Sequence, residues 1–269
     1  MPEINLILGK IAGFNLCAGI GLLSMVCLSM WQARRLKLDG HTTQLALESI
    51  PIVTILAIIP ACLSDIAFRW ENFRENPLGF GMTFYGWLLG CVVGWRSYES
   101  IAHLRPQFLL NFFSPSLALA QAFGRIGCFL AGCCHGRPAP PFMGVRFPEH
   151  SIPWERYGDN PLYPVQLMES AWLFSITLFL VHKVPFRHRF AAYLVLMGTG
   201  RFFLEVLRGD ARGAVFGVGA LSPAQFISAA IVVVGIVALL KRGRTFSHSA
   251  APGDLGVDED RVTRNSEQF

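Results

Sequence analysis

The chain has 269 residues, 52% of them hydrophobic and only 15% charged, with a formal net charge of +5. Soluble domains carry about a quarter charged residues, so this composition, with a mean hydropathy of +0.43, excludes an ordinary soluble domain and indicates an integral membrane protein. The positive charge reads as membrane orientation rather than as a nucleic-acid surface, because no basic face exists outside the loops.

About 20 apolar residues cross a bilayer, and the sequence offers seven such stretches. The first runs roughly from Ile11 to Trp31 and stops at Arg34, Arg35 and Lys37. The second runs from Ile50 to Phe68 and carries Asp65 near its far end; the third runs from Leu78 to Trp95. The fourth, Phe108 to Leu130, contains Pro115 and leads into a polar, proline-rich loop, Cys133 to Pro164. The fifth runs from Val165 to His182, the sixth from Phe190 to Leu207 and the seventh from Pro223 to Leu240. The expected organisation is one spanning domain over 1–244 and a polar, acidic, disordered tail over 245–269. The N-terminus lacks a basic leader segment and its first apolar run is long enough to span, so no cleavable signal peptide is expected.

Loop charge then gives orientation. Arg34, Arg35 and Lys37, Arg96 and Arg105, Lys183, Arg187 and Arg189, and Lys241, Arg242 and Arg244 fall on one side. Lys10, Arg69, Arg74, Arg137, Arg146, Arg156, Arg208 and Arg212 fall on the other, more thinly. The positive-inside rule puts the denser set in the cytoplasm. The N-terminus and the Cys133–Pro164 loop are then outside, and the C-terminus inside.

The chemistry concentrates in Gly124-Arg125-Ile126-Gly127-Cys128-Phe129-Leu130-Ala131-Gly132-Cys133-Cys134-His135-Gly136-Arg137-Pro138. Recurrent glycines let helices approach closely. An arginine at membrane depth is costly and marks function by default. This stretch resembles the signature of the bacterial prolipoprotein diacylglyceryl transferases, Gly-Arg-x-Gly-Asn-Phe-x-Asn-x-Glu-x-x-Gly-Arg. Gly124, Arg125, Gly127, Phe129, Gly136 and Arg137 match it; Cys128 replaces the family's first asparagine and Cys133 its glutamate.

Further matches lie downstream. Arg201 and Glu205 fit the family's Arg-Phe-x-x-Glu, and Leu221-Ser222-Pro223-Ala224-Gln225 its Leu-Ser-x-x-Gln. Tyr163-Pro164-Val165-Gln166-Leu167-Met168-Glu169 resembles its His-Pro-Ser-Gln-Leu-Tyr-Glu. Phe84-Tyr85-Gly86-Trp87-Leu88 stands where the family has Phe-His-Gly-Gly-Leu, so Tyr85 occupies the place of a histidine. The arginine of the family's second-span Gly-x-Arg has no counterpart in Pro60–Asp65.

The resemblance implies a seven-span enzyme of the bacterial inner membrane. It would move the diacylglyceryl group of phosphatidylglycerol to the cysteine thiol of a prolipoprotein, without a cofactor. A related membrane transferase with another acceptor, and a non-enzymatic thiol or redox membrane protein, are the rival readings.

The residues support roles of their own. Arg201, Glu205 and Arg208 stand at i, i+4 and i+7, on one face of a helix. They form either a self-neutralising cluster near the interface, with Arg208 reaching outward, or a cationic wall for a phosphate. Arg125 and Arg137 add charge, and Glu169 either pairs with an arginine or is an ordinary interface carboxylate. Tyr85 is a weak base at neutral pH, suited to positioning a head group or to packing. His135 has the pKa range for a base; the alternative is a plain loop residue.

Cys17, Cys27, Cys62 and Cys91 lie singly in apolar runs as packing residues. For Cys128, Cys133 and Cys134 three readings stay open: a metal site of unusual spacing, a disulfide, or simple replacement of signature residues. No metal is expected among the site residues.

Overall fold

The structure, a computed structural model, describes residues 2–68, 74, 83–209 and 222–244. Among these the chain is helical, with no strand and only isolated antiparallel bridges. The helices are α1 (Pro2–Arg35), α2 (Gly40–Phe68), α3 (Phe84–Ile101), α4 (Phe108–Ala131), the short α5 (Ile152–Tyr157), α6 (Val165–His182), α7 (Arg189–Glu205) and α8 (Pro223–Arg244). A 3-10 turn, Phe186–His188, precedes α7. Among the described residues, four segments are long and apolar enough to cross a membrane: Gly13–Arg35, Gly40–Ala67, Val165–His182 and Pro223–Lys241. Ile55, Ile59 and Leu63 on α2, and Val233, Val237 and Leu240 on α8, are exposed. Such apolar stripes need lipid rather than water. The chain is a multi-pass, all-helical membrane protein.

Several boundaries differ from those expected. The second helix begins at Gly40, ten residues before the apolar run, because the Asp39 carboxylate caps it by accepting from the Thr42 amide at 2.8 Å. The third helix continues past Trp95 to Ile101, which puts Arg96 on the helix rather than in a loop; residues 78–82 of that expected span lie outside the described residues. The sixth ends at Glu205, so Arg208 is not on its face. The polar loop contains α5, capped where the Trp154 amide donates to Ser151 Oγ. The expected tail, 245–269, lies outside the described residues.

The chain divides into two compact units. In the unit over Ser29–Phe112, α3 presents Gly86, Gly90 and Gly94 at four-residue spacing to α2. A Cβ on Gly90 would stand 2.6 Å from Ala57 Cα, and one on Gly94 3.0 Å from Val53. Only a side chain of hydrogen lets these backbones touch. In the last turn of α3, the buried Glu99 carboxylate accepts from the amides of Gln107 (2.8 Å) and Leu109 (2.7 Å) and from Arg96 (2.6 Å). It caps the start of α4 and neutralises its orphan donors.

The other unit joins the first part of α1 to the chain from Phe113 onward. Ser170 Oγ on α6 donates to the Ala122 carbonyl on α4 (2.9 Å). Trp172 Nε1 donates from α6 to Leu196 on α7 (3.0 Å). A Cβ on Gly198 of α7 would lie 3.0 Å from the Ser228 carbonyl of α8. These contacts bring the last turns of α4 and α7 beside the first turns of α6.

Candidate active site

At that end of the unit, three arginines and two carboxylates meet out of water. Arg125 Nε, near the end of α4, lies 3.0 Å from Glu169 Oε1 on α6. Arg201 Nη1 on α7 lies 3.0 Å from Glu169 Oε2, and its Nη2 lies 3.0 Å from Glu205 Oε2. Arg208 Nε lies 3.8 Å from the same Glu205 oxygen. Ser222 donates to Glu205 Oε1 at 3.2 Å. Gln225 Nε2 donates to the Phe202 carbonyl at 3.4 Å, tying the start of α8 to the cluster. Arg201 is 5% exposed, Glu205 7%, Glu169 8% and Arg208 9%. Among the described residues, three guanidiniums thus converge on two carboxylates at a place where charge is expensive.

The chain from Cys133 onward is laced to this cluster by its backbone. α7 tightens after Glu205, where the Leu207 and Arg208 amides donate to carbonyls three residues back. Arg208 then pairs with Gly136 in an antiparallel bridge. The Arg137 amide donates to Leu207 (2.9 Å), Gly209 to His135 (3.0 Å) and Tyr163 to Arg137 (3.1 Å). A Cβ on Gly209 would run into the Gly136 carbonyl, and one on Gly136 into Tyr163. Glycine at both positions permits this closure.

His135 is buried, at 2% exposure. Its Nδ1 lies 3.1 Å from the Gly136 carbonyl, which can only accept, so Nδ1 supplies the hydrogen of this contact. The edge of its ring packs on Tyr157, whose hydroxyl donates to the Gly209 carbonyl at 2.9 Å. Arg137 is exposed.

The sulfurs of Cys128, Cys133 and Cys134 lie within 4.8 Å of one another, all half-buried. The Cys133 thiol donates to the Cys128 carbonyl at 3.6 Å.

Seven of the eight expected site residues thus belong to one unit: Arg125, His135, Arg137, Glu169, Arg201, Glu205 and Arg208. Tyr85 belongs to the other unit, on the first turn of α3, with its ring 5.6 Å from that of Phe84. The sequence reading missed Gln121. It stands four residues before Arg125 and so on the same face of α4, and both polar atoms of its amide are buried without a hydrogen-bond partner among the described residues. Its signal was a lone amide in the apolar run from Ser116 to Phe123. Gly209 and Tyr157 were also missed; a glycine directly after Arg208 was the available hint.

Residues 3–241 match the family model described as prolipoprotein diacylglyceryl transferase. Among similar curated proteins, phosphatidylglycerol–prolipoprotein diacylglyceryl transferase 2 of Clostridium perfringens is 30% identical over 253 residues, which cover 87% of this chain and 94% of that one. The phosphatidylglycerol–prolipoprotein diacylglyceryl transferase of Clostridium tetani is 33% identical, over 84% of this chain and 91% of that one. The protein of the same name from Bacillus cytotoxicus is 31% identical, over 86% and 88%.

Proposed function

The chain belongs to the prolipoprotein diacylglyceryl transferase family, and on that premise we propose that it transfers the diacylglyceryl group of phosphatidylglycerol to the cysteine thiol of a prolipoprotein. The observation that carries this reading is the convergence of two guanidiniums, Arg125 and Arg201, on the one buried carboxylate of Glu169. In the reaction the acceptor sulfur attacks the glyceryl CH2 beside the phosphate. The C–O bond breaks, a thioether forms, and glycerol phosphate leaves with the electron pair. Negative charge grows on the departing phosphate, where Arg125 and Arg201 oppose it. Each guanidinium offers five N–H donors, more than Glu169 and Glu205 together consume. Donors fixed in advance around a developing anion are worth about 10²–10³ in rate apiece.

The remaining groups have places in this scheme. Glu169 holds Arg125 and Arg201 apart at a fixed spacing until the phosphate arrives. Glu205 orients Arg201, and Arg208 and the exposed Arg137 extend the cationic rim. Gln121 offers an unsatisfied amide to the head-group glycerol. His135 receives the acceptor's proton; Tyr85 positions the lipid. The setting we propose is the bacterial inner membrane, with seven spans, the N-terminus and the Cys133–Pro164 loop outside and the C-terminus in the cytoplasm. Supporting it is the density of Arg34, Arg35 and Lys37, of Lys183, Arg187 and Arg189, and of Lys241, Arg242 and Arg244 on one side.

The test is reconstitution of the full chain with phosphatidylglycerol and a cysteine-containing lipoprotein-precursor peptide. The expected products are a thioether-linked diacylglyceryl peptide and one glycerol phosphate per turnover. Arg125→Lys and Arg201→Lys should each lower kcat by about 10²-fold, since charge stays but the planar fork is lost. Product from a different lipid or acceptor, with none from this pair, would replace this reading by that of a related transferase.

A further inference from the structure

We propose that Cys128, Cys133 and Cys134 form a three-thiolate site for one zinc ion, whose fourth position takes the acceptor thiolate.

The placement of the sulfurs comes first. All three lie within 4.8 Å of one another. Three thiolates about 2.3 Å from one zinc stand roughly 3.8–4.0 Å apart, so the triangle needs only small side-chain adjustments to close on the ion. A disulfide would use two of the three and leave the third beside it.

The backbone is bent to make this triangle. α4 ends at Ala131, and Gly132 (φ +71°) and Cys134 (φ +58°) both take left-handed conformations. For a residue with a Cβ that conformation costs on the order of 1–2 kcal/mol, and strain of this kind collects at functional sites. The result is that Cys133 folds back on the last turn of α4: its amide donates to the Cys128 carbonyl at 3.2 Å, and its Sγ lies 3.6 Å from the same oxygen. Gln166 Nε2 then donates to the Cys133 carbonyl at 2.7 Å, and Gly209 to that of His135 at 3.0 Å. Two ligands adjacent in sequence are thereby held in one arrangement from both sides.

Charge and coordination number fit as well. Three thiolates and Zn²⁺ leave a single negative charge, on a segment that begins three residues after Arg125 and that Arg208 meets through its bridge to Gly136. The His135 ring is outside the sulfur triangle and engaged with Gly136. Three protein ligands with an open fourth position are the pattern of a catalytic rather than a structural zinc site.

The open position has a use that rests on the transferase reading above; the metal site itself does not. Glu169 and Glu205 are committed to arginines, so neither serves as base for a thiol. An acceptor thiol that binds the ion gives its proton to His135 and becomes a thiolate at neutral pH. The sulfur then attacks the glyceryl carbon, the carbon–phosphate-oxygen bond breaks, and the neutral thioether leaves the metal as a weak ligand. Zinc remains in its +2 state throughout.

The experiment uses the full chain in phosphatidylglycerol nanodiscs, purified without chelator, with zinc measured by elemental analysis. One zinc per chain is expected, with at least about a tenfold loss of affinity in each of Cys128→Ser, Cys133→Ser and Cys134→Ser. Cobalt(II) in place of zinc should give a thiolate charge-transfer band that grows by about one third when a cysteine peptide, but not its serine analogue, adds a fourth thiolate. Chelator-stripped wild type, which keeps every side chain, should regain both the band with cobalt and the activity with zinc. A disulfide among the three cysteines, or three alkylatable thiols without metal, would overturn the site. A cobalt spectrum indifferent to the peptide would overturn the open position. Zinc bound at this ratio without any lipidated peptide would leave the site standing and remove the transferase reading. Full activity in the stripped protein would keep the transferase reading and overturn the use of the open position by the acceptor thiolate.

Discussion

Glu169 is the hinge of the electrostatic argument, and Glu169→Gln tests it with almost no change in shape. The carboxylate lies 3.0 Å from both Arg125 and Arg201, and it is 8% exposed. A pair of unit charges about 4 Å apart at an effective dielectric of about 20 attracts by about 4 kcal/mol. Glutamine removes two such attractions, presents an NH₂ to one of the two guanidiniums, and makes the cluster more positive by one charge. Relaxation and water entry offset part of this. Breaking one side of a buried pair costs about 3–5 kcal/mol in practice, on the order of 10 °C in Tm for a domain of this size. The assay is thermal unfolding of wild type and variant in a zwitterionic bilayer and again in phosphatidylglycerol. In the zwitterionic bilayer the variant should melt about 10 °C lower. In phosphatidylglycerol the gap should narrow, because a phosphate replaces the missing carboxylate between the arginines. A gap equal in both lipids would mean that the cluster does not hold the lipid phosphate. A variant as stable as wild type in both, and within about twofold of its activity, would mean that Glu169 does not hold the arginines at all.

Other consequences are simpler to measure. Gln121→Leu should raise KM for the lipid by about tenfold and leave kcat nearly unchanged, since it removes a contact made equally in ground and transition states. Glu99→Ala should destabilise by about 3 kcal/mol in chemical denaturation, because two amides at the start of α4 and Arg96 lose their shared acceptor. Gly209→Ala should cost about 1–3 kcal/mol and unzip the bridge between Gly136 and Arg208, read as faster proteolysis between Arg137 and Pro164. Asp39→Ala should cost about 1 kcal/mol by uncapping α2. The Thr42 backbone and side-chain hydrogen bonds hold the Asp39 carboxyl below its ordinary value. Its contribution is therefore complete above the unfolded pKa of about 3.9 and disappears as pH falls through the lower folded value. Stability measured from pH 6 downward should show that loss in wild type and not in Asp39→Asn, where the acceptor stays and the titration does not.

What the sequence made legible was set by periodicity, and what it hid was set by irregular backbone. The fifth span, Val165–His182, coincides with its helix because the apolar run and the helix end at the same residues. α2 does not coincide, since its first turns are polar and are held by the Asp39 cap rather than by hydrophobicity. The pairing of Arg201 with Glu205 follows from helical spacing. Arg208 reaches Glu205 from beyond the end of α7, by a tightening of the chain that i, i+7 spacing does not describe. The cysteines carry the same lesson further. Two residues adjacent in sequence, with a third five and six positions earlier, match no usual zinc spacing when judged as a string. Spacing rules assume the backbone that produced them. Here a helix end is followed by two left-handed residues within three positions, one of them not glycine, and no propensity in the sequence announces the second. Once that turn exists, the separation of Cys128 from Cys133 is little more than one helical turn, and the triangle of sulfurs follows from it. The departures from the family signature at Cys128 and Cys133 therefore lie on a single turn of backbone, which is a stronger reason to treat them as one change of chemistry than their number alone.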